Sequence, residues 1–367
     1  MEYIKLGDVA TYVNGYAFKP KDRGNKGLPI IRIQDLTGNS YDLGFYNGIY
    51  PQKVEINNGD ILISWSASLG VYIWNRGKAL LNQHIFKVVF NKVDIDKNYF
   101  VYAVKHKLNE MIAKTHGATM KHIIKSDFDE TEIPYPNINE QKRISKVLNK
   151  VEKIIALRNA ELKTLDSLIK ARFVEFFGMP ITNAKGWKTE PMDKVAPAVN
   201  YSGNFGEDVW LLNLDMIESQ TGKIIDYLYV TKDEVGNSTC TFDTSNVLYS
   251  KLRPYLNKVV IPDRCGYATS ELVPLQPVPS KLNREYLAYM LRSDEFVNII
   301  NEKVAGAKMP RVSMGDFRKF NVPIPPIELQ NQFATFVKQV DKSKVAIQKS
   351  LAETQLLFDK LMQDYFG

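Results

Sequence analysis

The stretch EIPYPNINEQKRI (Glu132–Ile144) returns later in the same chain as NVPIPPIELQNQF (Asn321–Phe333). Pro134 in the first copy corresponds to Pro323 in the second, an offset of 189 residues (323 − 134). In each copy two corresponding prolines (Pro134 and Pro136, Pro323 and Pro325) precede a glutamine, and a long stretch without proline or glycine follows that glutamine. Because proline cannot donate a hydrogen bond to a sheet ladder, each copy predicts a short edge strand that leads into a long helix.

The same correspondence runs through the whole chain. At an offset of 189 residues (366 − 177), Phe177–Gly178 maps onto Phe366–Gly367. Further upstream, DILIS (Asp60–Ser64) matches NVLYS (Asn246–Ser250) at an offset of 186 residues (246 − 60). A period of this length exceeds the roughly 20 to 50 residues of a solenoid repeat. The chain is therefore predicted to be a tandem duplication of a whole domain.

Length, composition and charge limit the class of protein. With 367 residues, 44% of them hydrophobic and 24% charged, the chain can form about two to three domains. It begins without a signal-peptide pattern, and no apolar run reaches the roughly 20 residues of a membrane span, so a cytoplasmic protein is expected. Cys240 and Cys265 are expected to be reduced thiols. A net charge of +7 permits nucleic-acid binding without requiring it.

The long helices carry a heptad pattern. The first is expected over Glu140–Phe177, with Asn139 as its N-cap and Gly178 as its stop, which makes it about 38 residues or roughly 57 Å long. Apolar residues at alternating steps of four and three form one seam along each helix, which predicts that the two helices pack together. The seam residues are Ile144, Leu148, Val151, Ile155, Leu162, Leu165 and Ile169 in the first helix, and Phe333, Val337, Val340, Ile347, Leu351, Phe358 and Leu361 in the second. The polar residues that interrupt the seams are Arg158, Lys344 and Thr354.

Short β-rich runs separated by Gly, Asn and Asp precede each long helix. These runs are Leu28–Ile33, Asp60–Trp65, Gly70–Trp74 and His84–Phe90 in the first copy, and Val209–Leu214, Asn246–Ser250, Asn257–Pro262 and Glu271–Pro277 in the second. A further helix is expected in each copy, over Asp96–Lys114 and Asn283–Lys303. The predicted fold class is α+β, with two duplicated domains (1–138 and 179–327), each followed by a long helix (139–178 and 328–367).

Catalytic motifs are missing from the sequence. It contains no GxxxxGK[ST] phosphate loop and no GxGxxG after a strand. It also lacks the Asn-Pro-Pro-aromatic or Asp-Pro-Pro-aromatic tetrapeptide that an amino-methyltransferase needs. All four histidines lie in the first half and both cysteines in the second, so a zinc site would need ligands from both. A non-catalytic chain without a metal site or a cofactor of its own is expected.

Three pairs of equivalent loops differ between the copies, and these loops are the candidates for contact with a partner. Lysine and arginine can bind phosphates, whereas hydroxyl, amide, imidazole and guanidinium groups can reach base edges. The candidates are Ser64, Ser66, Ser68, Asn82, Gln83, Thr119, Lys121, His122 and Lys125 in the first copy, and Lys251, Arg253, Tyr255, Thr269, Ser270, Lys308, Arg311 and Ser313 in the second. The alternative is that these loops are solvated basic turns and turn caps. Trp65 and Tyr255 are equally compatible with the core.

The order of these features resembles the specificity subunits of type I restriction–modification enzymes. The stretches that carry the resemblance are IPYPNINEQKRI, VPIPPIELQNQF, GATMKHI, GAKMPRVS and LNQHIF, and together they cover essentially the whole chain. The second copy departs from the family at two places. Leu329–Gln330 stands where the family favours Glu-Gln, and Phe333 stands where it favours an aliphatic residue.

The resemblance implies a non-catalytic subunit that binds double-stranded DNA. Each variable domain would be a target recognition domain that reads one half of an asymmetric bipartite site. The helices would pair as an antiparallel coiled coil, set the spacer between the half-sites and dock two methyltransferase subunits, with two restriction subunits beyond them. S-adenosylmethionine would then belong to the methyltransferase subunits, and ATP and Mg to the restriction subunits.

Two other classes stay open at this point. One is a coiled-coil scaffold whose two end domains bind proteins, and it predicts no salt-dependent affinity for DNA. The other is an enzyme with an unrecognised site, and it predicts turnover by the purified chain alone.

Overall fold

The computed structural model describes residues 2–38, 42–114, 124–302, 304 and 309–367 of the chain. The chain divides into two compact units, one formed by Met1–Arg158 with Ser350–Gly367 and the other by Asn159–Lys349. The boundaries lie inside the two long helices, Ile138–Phe177 and Ile327–Phe366. Each unit therefore contains one α+β domain and about half of each long helix.

The first unit has the expected α+β composition. Its strands are Tyr3–Lys5, Thr11–Asn14, Leu28–Ile31, Phe45–Tyr46, Glu55–Ile56, Ile61–Ser64, Gly70–Ile73, Ala79–Leu81, Ile85–Val89 and Glu132–Pro134. Besides its share of the long helices, its α-helices are Leu6–Val9, Ile33–Thr37, Lys97–Lys114 and Lys125–Asp129. Short 3-10 helices cover Pro20–Asp22 and Gln52–Val54.

The strands of the first unit form two larger sheets and one strand pair. One sheet is antiparallel throughout, in the order Thr11–Asn14, Ile85–Val89, Ile61–Ser64 and Gly70–Ile73. The other has a parallel pair at its centre and the order Phe45–Tyr46, Leu28–Ile31, Ala79–Leu81 and Glu55–Ile56. The proline-containing strand Glu132–Pro134 pairs only with Tyr3–Lys5 in the described chain, as an edge strand is expected to do.

The second unit repeats this composition. Its strands are Lys188–Pro191, Asp208–Leu212, Leu228–Thr231, Thr239–Phe242, Val247–Ser250, Val259–Val260, Gly266–Thr269, Leu272–Leu275 and Asn321–Ile324. Its shorter α-helices are Met192–Val195, Arg284–Arg292, Asp294–Glu302 and Met314–Arg318, and its 3-10 helices are Leu214–Met216, Lys232–Glu234 and Pro254–Leu256.

The sheets of the second unit have the same strand order as those of the first. One sheet has a parallel central pair and the order Leu228–Thr231, Asp208–Leu212, Gly266–Thr269 and Thr239–Phe242. The other is antiparallel, in the order Val259–Val260, Val247–Ser250 and Leu272–Leu275, and a bridge from Ala198 to Leu275 extends it. The strand pair joins Lys188–Pro191 to Asn321–Ile324.

The matching strands DILIS and NVLYS lie between two hydrophobic cores. Ile61 and Ile63 pack in the larger core of the first unit, whereas Leu62 packs in the smaller one. Val247 and Tyr249 belong to the larger core of the second unit, while Leu248 lies in its smaller core. Successive side chains of a strand point to opposite faces, so a strand that is buried at every position has a core on both sides.

The glutamine of the repeated stretch connects the start of each long helix to the preceding domain. Gln141 is buried, and its Nε2 donates to the carbonyl oxygen of Pro136 at 2.8 Å. Its Oε1 accepts from the backbone N–H of Asp96 at 2.9 Å, next to the helix Lys97–Lys114. A single side chain thus satisfies backbone groups on two segments, which explains why glutamine follows the prolines at a fixed distance.

The second copy of this glutamine makes the two equivalent bonds and one more. Gln330 is fully buried and donates to the carbonyl oxygens of Pro325 at 2.8 Å and Lys281 at 2.9 Å. Its Oε1 accepts from the backbone N–H of Asn283 at 2.8 Å. Asn283 in turn caps the helix Arg284–Arg292 through its side chain.

The two long helices pair, as the seams predict, and they run antiparallel, as the resemblance implies. In the first unit Ile144 and Leu148 share one core with Phe358 and Phe366. In the second unit the rings of Phe177 and Phe333 lie 5.4 Å apart, and Lys344 Nζ lies 2.6 Å from Asp166 Oδ1. Residue numbers fall along one helix as they rise along the other, which is the antiparallel arrangement.

Burial of the seam residues varies along the helices. The fully buried seam residues are Ile144, Leu148, Val151, Ile169, Phe333, Val337, Val340 and Phe358. The half-buried ones are Ile155, Leu162, Leu165, Ile347, Leu351 and Leu361. Two paired helices alone cannot enclose a side chain, whereas a domain packed against the pair can. The same packing buries residues that the seam did not include, namely Phe173, Phe177, Met362 and Phe366.

Three local predictions require correction. The first long helix is capped by Asn137, whose Oδ1 accepts from Glu140 N at 3.0 Å, and not by Asn139. The single helix expected over Asn283–Lys303 is broken at Ser293, whose hydroxyl donates to Met290 O at 2.7 Å and accepts from Phe296 N at 3.3 Å. The expected strand Leu28–Ile33 ends at Ile31, because Ile33 begins a short helix.

The predicted stop of the first long helix is confirmed. Gly178 has a φ of +76° and ends the first long helix, a conformation that glycine adopts without steric cost. Cys240 and Cys265 are both free, and burial raises the pKa of the Cys240 thiol to about 11. Within the described ranges no helix combines the length and apolarity that crossing a bilayer requires.

Candidate nucleic-acid interface

Three of the candidate loops of the second unit meet at one place. Backbone hydrogen bonds join Lys251 N to Glu271 O at 3.0 Å and Val312 N to Lys251 O at 2.9 Å. Arg253 N donates to Pro310 O at 2.8 Å, so the loop that follows the strand Val247–Ser250 is tied to the segment that carries Arg311. The candidates Lys251, Arg253, Thr269, Ser270, Arg311 and Ser313 therefore lie on connected segments of the fold.

The cationic side chains of these segments differ in their pairing. Arg311 Nη2 lies 3.0 Å from Glu271 Oε1, and this hydrogen bond raises the pKa of Arg311. Lys258 turns inward, donates to Leu214 O at 2.6 Å and has its pKa lowered by burial. Arg253 is exposed, and its guanidinium has neither a hydrogen bond nor an ion pair within the described part of the chain.

The uncharged candidates of the second unit are placed as follows. Tyr255 is 47% exposed, on the short helix Pro254–Leu256, and is therefore a surface residue. Thr269 is half-buried at the end of its strand, while Ser270 is exposed and donates its backbone N–H to Ser238 O at 3.0 Å. Ser313 caps the helix Met314–Arg318, so its hydroxyl already has a structural partner.

In the first unit the equivalent hairpin loop is held by a buried serine. Ser64 is fully buried and its hydroxyl donates to Ser68 O at 2.5 Å. It therefore supports the loop from inside and does not present its hydroxyl to solvent. Ser66 is half-buried and Ser68 is exposed. Trp65 stacks on Phe86 with centroids 5.6 Å apart and packs against the larger core.

Asn82 and Gln83 lie beside Gly15 and Tyr16, which are not among the candidate residues. Gln83 N donates to Tyr16 O at 3.0 Å, and Tyr16 N donates to Leu81 O at 2.8 Å. Gln83 is exposed, while Asn82 is half-buried and its Oδ1 accepts from Gln83 N at 2.8 Å. A Cβ at Gly15 would lie 2.0 Å from Asn82 O, so only glycine permits this close approach.

Tyr16 belongs to a partly exposed aromatic group, on a segment that also carries exposed lysines. Its ring lies 5.0 Å from that of Phe18, which lies 5.2 Å from that of Tyr46. The exposed lysines on the same segment are Lys19, Lys21 and Lys26. Interleaved aromatic and basic residues in GYAFKPKDRGNK (Gly15–Lys26) are the signal by which the sequence could have pointed to this surface.

The remaining candidates are on the glycine turns. Lys125 is exposed and forms an ion pair with Asp129 at 2.5 Å. Thr119, Lys121, His122 and Lys308 lie outside the described residues. Within the described ranges no group of three or more His, Cys, Asp or Glu side chains could hold a metal ion. The candidate loops and the aromatic group around Tyr16 can therefore contact a partner through hydrogen bonds, ion pairs and stacking on aromatic rings.

The sequence and structure match known proteins. The family model of the type I restriction modification DNA specificity domain matches residues 1–167 and 219–355. The EcoBI specificity subunit of Escherichia coli is 29% identical over 170 residues, which is 46% of this chain and 35% of that protein. The MjaVIII specificity subunit of Methanocaldococcus jannaschii is 22% identical over 378 residues, which is 93% of this chain and 86% of that protein.

Two solved structures share the fold. The S subunit of a type I restriction–modification system from M. genitalium has a TM-score of 0.58 at 14% identity, over 100% of this chain and 96% of that chain. A chain from a structural study of assembly and conformational transition in the type I system has a TM-score of 0.59 at 15% identity, over 99% and 97%. The family model covers both copies of the duplication and most of the chain. The chain therefore belongs to the type I restriction–modification DNA specificity family.

Proposed function

We propose that this chain is the sequence-reading subunit of a type I restriction–modification complex, and that each unit reads one half of an asymmetric bipartite DNA site. One observation carries the proposal. Two units with the same strand order and the same buried central strand present different side chains at equivalent loops, Ser64–Gly70 and Ser250–Lys258. A fixed scaffold with variable loops is what two readers of different half-sites require.

In this proposal the paired long helices set the number of unread base pairs and dock the methyltransferase subunits. Each helix has 40 residues, or about 60 Å, which lies between one and two turns of B-DNA. The duplication supports the binding of two methyltransferase subunits, one for each unit, with two restriction subunits completing the complex. S-adenosylmethionine would be bound by the methyltransferase subunits, and ATP and Mg by the restriction subunits, because the sequence shows no motif for these cofactors.

Methylome sequencing tests this proposal. A host strain would express the adjacent methyltransferase gene in three ways: with this chain, without it, or with a variant truncated before Ile327. The truncated variant lacks the second long helix. We expect a split motif with methyladenine in both halves only when the full chain is present. The same motif in the absence of the chain would contradict the proposal.

A binding measurement separates sequence reading from a protein scaffold. The assembled complex should bind its motif with an affinity that falls steeply as salt rises, because phosphate contacts release counterions. A scaffold with protein-binding ends would show neither the motif nor this salt dependence.

A further inference from the structure

Equivalent loops of the two units share a left-handed residue. The φ angle is +58° at Ala67 and +49° at Arg253, and each residue lies three positions after the serine that ends its central strand. L-residues other than Asn and Asp rarely adopt this conformation. This left-handed conformation recurs with two unrelated side chains. The backbone contacts of the loop, and not the local sequence, therefore determine it.

In each loop the serine that ends the central strand donates its hydroxyl to a carbonyl oxygen of the loop, although the two carbonyls are not equivalent. Ser64 donates its hydroxyl to Ser68 O at 2.5 Å, and Ser250 donates its hydroxyl to Leu252 O at 2.9 Å. Both serines are buried, with 0% and 3% of their surface exposed. Each loop is therefore held from inside, while the left-handed residue itself is exposed in both units.

The backbone around Arg253 is fixed further on both sides. Its N–H donates to Pro310 O at 2.8 Å and its carbonyl oxygen accepts from Leu256 N at 2.9 Å. The next residue, Pro254, is buried. The neighbouring Arg311 is paired with Glu271, whereas the Arg253 guanidinium is unpaired within the described residues. The loop thus presents one unpaired guanidinium on a backbone that is fixed by hydrogen bonds. A backbone that is already ordered loses less entropy when the loop binds a ligand.

We propose that Arg253 reads a guanine in the half-site bound by the second unit, an inference that rests on the proposed function. The guanidinium carries donors in a fixed fork, and guanine presents two acceptors, O6 and N7, in the major groove. The Ala67 side chain has no donor, so the first unit makes no polar side-chain contact with a base from the equivalent position. The difference between these two residues is one source of the asymmetry between the half-sites.

The test compares the methylome of the complex containing the wild-type chain with those of Arg253→Ala and Arg253→Lys. Lysine keeps the charge but not the fork, so it separates base reading from phosphate contact. In Arg253→Ala we expect a guanine in one half of the motif to become degenerate, with roughly a 5- to 150-fold loss of discrimination at that base. In Arg253→Lys we expect a smaller loss at the same base, because lysine also donates to guanine but without the planar fork. The other half should stay unchanged, which reports a folded and assembled subunit. Lys194→Ala, an exposed cation elsewhere in the same unit, should leave the motif intact.

Each alternative result has a distinct meaning. An unchanged motif in Arg253→Ala overturns the inference and leaves the proposed function in place. A uniform weakening in Arg253→Ala with a normal motif in Arg253→Lys assigns a phosphate contact and also overturns it. If the wild-type chain directs no motif, the proposed function fails, and the inference fails with it. Should Arg253→Ala abolish all methylation, Arg253→Asn takes its place, because asparagine tolerates left-handed backbone.

Discussion

Arg158 of the first long helix donates hydrogen bonds to the hydroxyl of Thr354 and, at 2.5 Å, to the carbonyl oxygen of Ser350 in the second long helix. Arg158 and Thr354 each interrupt the apolar seam of their own helix, and the fold brings these two interruptions together. A polar contact inside an apolar seam costs stability relative to a hydrocarbon pair but fixes the register of the helices. We infer that this pair selects the alignment of the two long helices.

The first prediction concerns this pair. Thr354→Val should lower the free energy of unfolding by about 1 kcal/mol, because the half-buried Arg158 loses an acceptor. The double variant Arg158→Leu with Thr354→Val should recover most of that loss, since both polar groups are replaced together. Urea unfolding monitored by circular dichroism measures both effects.

A matched control exists on the same helix. Thr335 is exposed and donates its hydroxyl to Asn331 O at 2.9 Å, as Thr354 donates to Ser350 O at 2.7 Å, but no arginine of the described chain donates to Thr335. Thr335→Val should change stability by less than about 0.5 kcal/mol. A double variant that is less stable than the sum of its single changes would contradict the account.

The seam shows how much of the fold the sequence predicts. Its period indicates the helices and their pairing, because a heptad pattern follows directly from helix geometry. It does not indicate Phe173 or Phe366, which are buried against the domains and lie off the seam. Their burial depends on packing against residues that are distant in the sequence, which a heptad pattern does not indicate.

The breaks and loops were harder to predict for related reasons. The helix break at Ser293 has no proline or glycine to signal it, and the serine hydroxyl supplies the cap that permits the break. Among the candidate contact residues, the sequence could not distinguish the buried Ser64 from the exposed Ser68. Whether a serine hydroxyl faces the core or the solvent depends on the backbone conformation of the loop. The residue type alone made both serines candidates for contact with DNA.

The second prediction concerns the repeated glutamine. Gln330→Leu should lower the free energy of unfolding by about 3 kcal/mol, because the Asn283 N–H, the buried Pro325 carbonyl and the part-buried Lys281 carbonyl all lose their bond to this side chain. Gln332 is exposed two positions further along the same helix, and Gln332→Leu should cost less than about 0.5 kcal/mol. Chemical denaturation of the two variants gives the comparison, and equal losses would refute the structural role of Gln330.

The third prediction concerns stability at alkaline pH. Burial raises the pKa of Tyr249 and Tyr286 well above the ordinary value of about 10. Below that pH both tyrosines are neutral in the folded and unfolded states, so they cause no pH dependence there. Above it the unfolded chain ionises first, and stability should fall by up to about 1.4 kcal/mol per pH unit for each tyrosine.

Phenylalanine variants test this directly through urea midpoints between pH 8 and pH 11. Tyr286 donates its hydroxyl to Pro323 O at 2.9 Å, so Tyr286→Phe should lose about 1 kcal/mol at pH 8 and then decline less steeply than wild type. Tyr249→Phe should flatten the decline without a comparable loss at pH 8, because the Tyr249 hydroxyl has no hydrogen bond within the described chain. Identical slopes in all three proteins would contradict the assignment.

The last prediction concerns the ion pair between Glu271 and Arg311, and it depends on the proposed function. Glu271→Gln removes the carboxylate that holds Arg311 at 3.0 Å, so the guanidinium becomes available to a phosphate. The assembled complex should then bind non-cognate DNA more tightly, and the slope of log affinity against log salt should steepen by about 0.9, as one added phosphate contact requires. Glu207→Gln makes the same charge change at an exposed carboxylate that has no cationic partner within the described residues. If both variants give the same slope of log affinity against log salt, the change in net charge alone explains the effect. In that case the ion pair with Glu271 does not keep Arg311 from a phosphate.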